Sequence, residues 1–91
     1  MELKWTSKAL SDLARLYDFL VLASKPAAAR TVQSLTQAPV ILLTHPRMGE
    51  QLFQFEPREV RRIFAGEYEI RYELNGLTIY VLRLWHTREN R

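Results

Sequence analysis

Cysteine is absent from this chain, which rules out disulfides, thiolate metal sites and cysteine nucleophiles and fits a reducing compartment. Glycine occurs only as Gly49, Gly66 and Gly76, so there is neither a phosphate-cradling loop nor a dinucleotide fingerprint. His45 and His86 are the only histidines, and no carboxylates stand near them at metal-ligand spacing. No stretch approaches the ~20 apolar residues of a membrane span. The N-terminus also lacks an apolar run of signal-peptide length, because Lys4, Lys8, Asp12 and Arg15 interrupt it. Repeats and low-complexity segments are missing too. These absences lead to the expectation of a cytoplasmic domain with no cofactor and no metal.

What is present is a chain of 91 residues, 47% of them apolar. That is enough for a single domain over 1–91 with a thin core, for which a partner that buries more surface would be an advantage. The net charge is +3 and the pI about 9.6, which favours acidic partners such as nucleic acid, a ribosome or an acidic protein segment. From Arg58 onward the cationic residues are all arginine. Arginine offers a planar fork of donors suited to phosphate and carboxylate, whereas lysine would serve plain solubility as well.

Glu2–Thr6 alternates and reads as a short strand. Thr6 or Ser7 then caps a helix, along which Leu10, Leu13, Ala14, Tyr17, Leu20 and Val21 recur at helical spacing. Lys8, Asp12, Arg15 and Asp18 fall mostly off that stripe. Leu16, Phe19 and Ala23 widen it beyond what one sheet needs, and either the next helix or a partner covers them. Ser24-Lys25-Pro26 ends the first helix and starts a second, read as Pro26–Ala38 and, past a kink at Pro39, Pro39–Thr44. His45-Pro46-Arg47-Met48-Gly49 is a turn. Gln51 to Pro57 is a connector anchored by Phe53 and Phe55.

Three strands follow. Val60–Phe64 turns through Ala65-Gly66 into Glu67–Leu74, and Asn75-Gly76 turns that strand into the last one, since Asn-Gly suits a type I′ turn. Counting back from Asn75-Gly76 pairs Leu74 with Leu77, Tyr72 with Ile79, Ile70 with Val81 and Tyr68 with Arg83. This register puts Trp85 on the helix side and leaves Tyr80 and His86 on an open face with Glu69 and Arg71. In the earlier hairpin, Ile63 and Tyr68 share the core face, and Arg62 and Glu69 the open one. The fold expected is α+β: an N-terminal strand, a helical hairpin, then a three-stranded antiparallel meander, with the helices packed on one face of the sheet.

The same stretch carries a resemblance. A basic strand, a glycine turn, the Tyr68-x-Ile70-x-Tyr72 strand, a hairpin, and Ile79-x-Val81-x-Arg83-x-Trp85-His86 followed by Arg88 resemble the ParE/RelE superfamily of type II toxins. The likeness extends over most of the chain and implies this same order of elements. It also implies a cognate, ParD-like antitoxin that wraps the toxin in a hetero-oligomer, with Leu16, Phe19 and Ala23 as a docking place.

RelE-like members cleave mRNA on the ribosome, which needs a base, a cation at the phosphate and an acid. His86, Arg71 and Arg83 are the candidates for that set. The resemblance weighs against it at two positions: Glu69 stands where nuclease members commonly place arginine, and Thr87 where several carry tyrosine. The Trp85-His86-x-Arg88 ending looks more like the ParE branch, whose members bind and poison DNA gyrase. That reading assigns Arg58, Arg61, Arg62, Arg83, Trp85, His86 and Arg88 to the target surface, arginine and tryptophan being the types that dominate interface energetics.

Overall fold

The computed structural model describes residues 1–89; Asn90 and Arg91, the end of the predicted 1–91 domain, lie outside the described residues. Five strands form one sheet in the order β1-β5-β4-β3-β2. They are β1 (Glu2–Trp5), β2 (Glu50–Gln51), β3 (Glu59–Ala65), β4 (Tyr68–Asn75) and β5 (Thr78–His86). Helices α1 (Ser7–Val21) and α2 (Lys25–Gln37) form the hairpin on one face. This is the α+β arrangement expected. β1 adds itself in parallel to β5 at one edge, and β2, read from sequence as connector, pairs with β3 at the other.

The helix signals act as the sequence implies. Thr6 Oγ1 accepts from the Ala9 N–H at 3.2 Å and donates to Val81 O at 2.8 Å, so the cap also ties α1 to the sheet. Ser24 caps α2 through Ala27 N–H, with proline in the first turn. After α2, Ala38–Leu43 is a 3₁₀ segment and replaces the short helix expected over Pro39–Thr44. Phe53–Phe55 forms another 3₁₀ turn. Of the two anchors expected there, Phe53 is exposed, while Phe55 lies against Arg71.

Ala9, Leu16 and Leu35 from the helices meet Ile70, Val81 and Leu84 from the sheet. Leu42, Tyr72, Leu74 and Ile79 make the adjoining cluster. The buried stripe of α1 therefore runs through Ala9, Asp12 and Leu16, while Leu10, expected to be inside, is exposed. Leu16, one of the three residues offered as a docking place, is buried in this core. Phe19 and Leu22 stay outside.

The last hairpin departs from the expected register. Its loop is Gly76-Leu77 with Asn75 opposite Thr78. The positive φ, 62°, falls on Gly76 at the first central position, the pattern of a type II′ turn. Leu74 consequently faces Ile79, and Tyr72 faces Val81. The register then slips by one between Arg71 and Tyr72, leaving Leu82 as an extra residue. Because side chains alternate, one inserted residue exchanges the faces of everything beyond it. Arg83 and Trp85 come to lie opposite Arg71 and Glu69, and Leu84 and His86 opposite Ile70 and Tyr68. Trp85 is thus on the open face and His86 on the helix side, the reverse of the expected placement. The β3–β4 loop is likewise shifted by one residue to Gly66-Glu67, pairing Ile63 with Ile70 and Arg62 with Arg71. The expected faces survive there.

Candidate functional site

The exchange of faces at Leu82 assembles a cluster on the open side of the sheet. Trp85 is at its centre and buried. The Arg71 guanidinium carbon lies 4.7 Å from the Trp85 ring centroid and 5.3 Å from that of Phe55. Arg83 approaches the same Trp85 ring at 5.1 Å. Such contacts gain strength as they lose water.

Glu69 lies buried in the same cluster. Its carboxylate is 3.1 Å from Arg71 Nη2 and 3.6 Å from Arg62 Nη1, and Arg62 also takes Glu50 at 2.9 Å. At the margin, Arg58 makes a fork with Glu73 at 2.7 and 3.1 Å. Since the Arg58 side chain is half exposed, this pair fixes geometry more than it adds stability.

Around the edge of β5 the cluster continues into the helix layer. β1 pairs with β5 only through Thr78–Val81, so the edge past Val81 is closed by side chains instead. Asp12 Oδ2 accepts from Leu84 N–H at 2.9 Å and from Arg83 Nε at 2.7 Å. Arg15 donates to Asp12, to Leu84 O and to Glu89, and Glu89 takes the His86 N–H at 2.8 Å. These bonds occupy edge groups that would otherwise invite another strand.

Burial alone would push the Asp12 carboxyl up, but the bonds from Arg83, Leu84 N–H and Arg15 outweigh it and hold the group below the usual aspartate range. Asp12 in turn raises Arg83. A depressed carboxyl contributes its full stabilisation above the ordinary value of about 4 and loses it as pH falls through the lower native value. Melting temperature followed into acid should accordingly fall less steeply for Asp12→Asn than for the unchanged protein. Equal slopes would contradict the stabilising role given to the carboxylate.

On the helix side, His86 stands edge-on to Tyr68 with centroids 5.1 Å apart. Its Nδ1 accepts from Arg88 N–H at 3.1 Å, and Nε2 is 3.6 Å from Glu67. An apolar groove of about 720 Å³ opens beside it, walled by Leu16, Phe19, Leu20 and Tyr68 and rimmed by Arg15 and Arg88. Among the described residues no group of histidines and carboxylates is placed to hold a metal ion, and no helix is long and apolar enough to cross a membrane.

The family profile described as "ParE toxin of type II toxin-antitoxin system, parDE" matches residues 3–91. The chain belongs to the ParE toxin family. Among solved structures, it is similar to a chain of the chromosomal ParDE toxin–antitoxin system from P. aeruginosa, at 28% identity and a TM-score of 0.80, covering 94% of this chain and 95% of that one. Curated proteins gave no match.

For this ParE-family chain the predicted site residues divide into three groups. Arg62, Arg71, Arg83 and Trp85 come together on the open face, with Arg58 at its edge. His86 and Arg88 border the helix-side groove, so His86 is not brought to Arg71 and Arg83. Arg61 joins neither surface: its guanidinium is spent on Glu59 and on the carbonyls of Arg47 and Gly49, which hold the 46–51 segment to β3. Of the three expected docking residues, Phe19 on α1 and Ala23 just past its end are exposed, and Leu16 forms part of the groove wall from within the core. Asp12, which sequence reading placed off the buried stripe, is the residue that joins the helix layer to Arg83. Its only sequence signal is its position between Ala9 and Leu16.

Proposed function

We propose that this chain is a toxin that inhibits DNA gyrase by binding it, without chemistry of its own, and that a ParD-like antitoxin neutralises it. The observation that carries this reading is the open-face cluster: Arg71 and Arg83 ordered against Trp85, Arg62 joined to them through Glu69, and the histidine turned to the other side of the sheet. Ordered arginines against a desolvated tryptophan make a strong protein-binding centre. Without a histidine beside them they lack the usual proton-transfer group for RNA cleavage. Arg58, Arg62 and Arg83 are assigned to the gyrase contact, with the buried Trp85 as the platform that orders Arg83, and Arg61, His86 and Arg88 are removed from it.

Binding to immobilised gyrase, measured beside cleavage of mRNA on programmed ribosomes, separates the two toxin classes. Saturable gyrase binding with intact mRNA is expected. Cleaved mRNA that depends on His86 or Arg71, with no gyrase binding, would move the chain to the RelE-like class.

The helix-side groove is assigned to the antitoxin. Phe19 is a large apolar side chain left 72% exposed, and Leu16, Leu20 and Tyr68 extend its surface along the groove. Phe19→Glu is expected to weaken affinity for the cognate antitoxin by a factor on the order of ten to a hundred, as the loss of one buried aromatic contact would. Unchanged affinity in a titration would remove α1 from the antitoxin interface.

A further inference from the structure

Asp12 belongs to neither surface, yet it touches a residue of the target face. It is buried in the helix layer, while Arg83, opposite Arg71 in the ladder, lies on the open side. The carboxylate reaches Arg83 past the stretch of β5 that β1 leaves uncovered. Two bonds join them, Arg83 Nε to Oδ2 at 2.7 Å and Nη2 to Oδ1 at 3.2 Å. A guanidinium held by a two-point fork has one orientation, which a single bond would not impose. That orientation sets Arg83 against Trp85, whose ring also carries Arg71.

The carboxylate is itself held. Leu84 N–H fixes Oδ2 from the strand, and Arg15 approaches Oδ1 at 3.3 Å from the next turn of α1. The groups facing Asp12 are therefore Arg83 and Leu84 from β5 and Arg15 from its own helix. If Asp12 served only to pin α1 to β5, the bond to Leu84 N–H would suffice. The additional fork compensates the buried charge and, in doing so, also fixes a partly exposed arginine of the open face.

We propose that Asp12 is a positioning residue for the target face: from the helix layer its carboxylate holds Arg83 in one place beside Trp85, so the arginine meets the target already ordered. The binding consequence rests on the gyrase reading above; the placement of Arg83 does not. An interface side chain ordered in advance loses less freedom on binding.

The test pairs Asp12→Asn with Arg83→Ala. Asparagine still offers an oxygen to Leu84 N–H but neither the charge nor the two-oxygen fork. In a supercoiling assay, Asp12→Asn is expected to raise the inhibitory concentration about tenfold, the effect of a lost ordered contact. Combined with Arg83→Ala, it should add nothing to the loss caused by Arg83→Ala alone. A folded Asp12→Asn of full potency overturns the proposal, and so does a loss that multiplies with that of Arg83→Ala. Should Asp12→Asn not fold, Asp12→Glu, which keeps the charge but moves it by one methylene, takes its place in the same comparison.

A second readout is independent of gyrase. Trp5 and Trp85 are the only tryptophans, so in a Trp5→Phe background acrylamide quenching reports on Trp85. Releasing Arg83 through Asp12→Asn should increase that quenching. If the unchanged protein leaves gyrase untouched, the gyrase reading fails by itself, and quenching still decides the placement: increased quenching supports it and unchanged quenching overturns it.

Discussion

Replacing Arg62 and Arg83 together by alanine is expected to raise the concentration needed to inhibit gyrase by about thirtyfold or more, the loss of roughly 2 kcal/mol that marks an interface hot spot. These two positions are chosen because each buried carboxylate they serve keeps another partner, while Glu50, which Arg62 also holds, is exposed. Glu69 retains Arg71 at 3.1 Å, and Asp12 retains Leu84 N–H at 2.9 Å together with Arg15. No buried charge is left alone, so the fold should survive the double change, whereas stripping a buried carboxylate of all its partners would destabilise it strongly. Near-ultraviolet circular dichroism and thermal melting establish folding, and a supercoiling titration gives the potency. A folded double variant with full potency would exclude the open face from gyrase binding.

The largest effect on stability is expected at Tyr72. Its side chain is fully buried in the cluster with Leu42, Leu74 and Ile79. The hydroxyl donates to Pro46 O at 2.8 Å and accepts from Gly49 N–H at 3.1 Å. The ring therefore fills the core while its tip holds the 46–49 turn, which enters β2 and packs tightly enough that a Cβ on Gly49 would lie 2.6 Å from both Arg62 O and the Tyr72 hydroxyl. Tyr72→Ala removes both functions and should cost about 3–5 kcal/mol, as large-to-small changes at buried aromatics do. For a domain of this size that lowers the melting temperature by roughly 12 °C or more. Tyr72→Phe keeps the ring and loses only the hydroxyl, leaving the buried Gly49 N–H without its acceptor, so about 1–3 kcal/mol is expected. Equal melting temperatures for the two variants would show that the hydroxyl, and not the packing, carries the effect.

Much of the architecture was legible because local chemistry decided it. Thr6 and Ser24 had the side chains that caps require, and Asn75-Gly76 marked a hairpin from two residues. Where the reading failed, a non-local contact or an uncountable residue was responsible. In Val81-Leu82-Arg83-Leu84-Trp85 both alternations carry large apolar residues and only Arg83 is charged, so the pattern does not say which residue is extra. Placing the slip at Leu82 reverses Trp85 and His86. The site changes character with that one residue, because an alternation without a slip would have set His86 on the same side as Arg71.

Asp12 was illegible for a different reason. Leu10, Leu13, Ala14 and Tyr17 offer a helical stripe as regular as the real one through Ala9 and Leu16. A carboxylate is normally excluded from a buried face unless something compensates it. The compensation comes from Arg83, 71 residues further along, and no local pattern announces it. The arginines were legible as a class but not as a surface: Arg61, Arg62 and Arg71 look alike in sequence, and strand alternation sends Arg61 to the 46–51 segment while keeping the other two together.

Binding of gyrase through the open face is the proposed action of this chain. The most direct measurement is a supercoiling assay with purified gyrase and increasing toxin, scored for supercoiled, relaxed and cleaved DNA, with and without the cognate antitoxin. Loss of supercoiling that the antitoxin reverses, and that Arg62→Ala/Arg83→Ala blunts, is the expected result. Full supercoiling at every concentration of a folded toxin would contradict it.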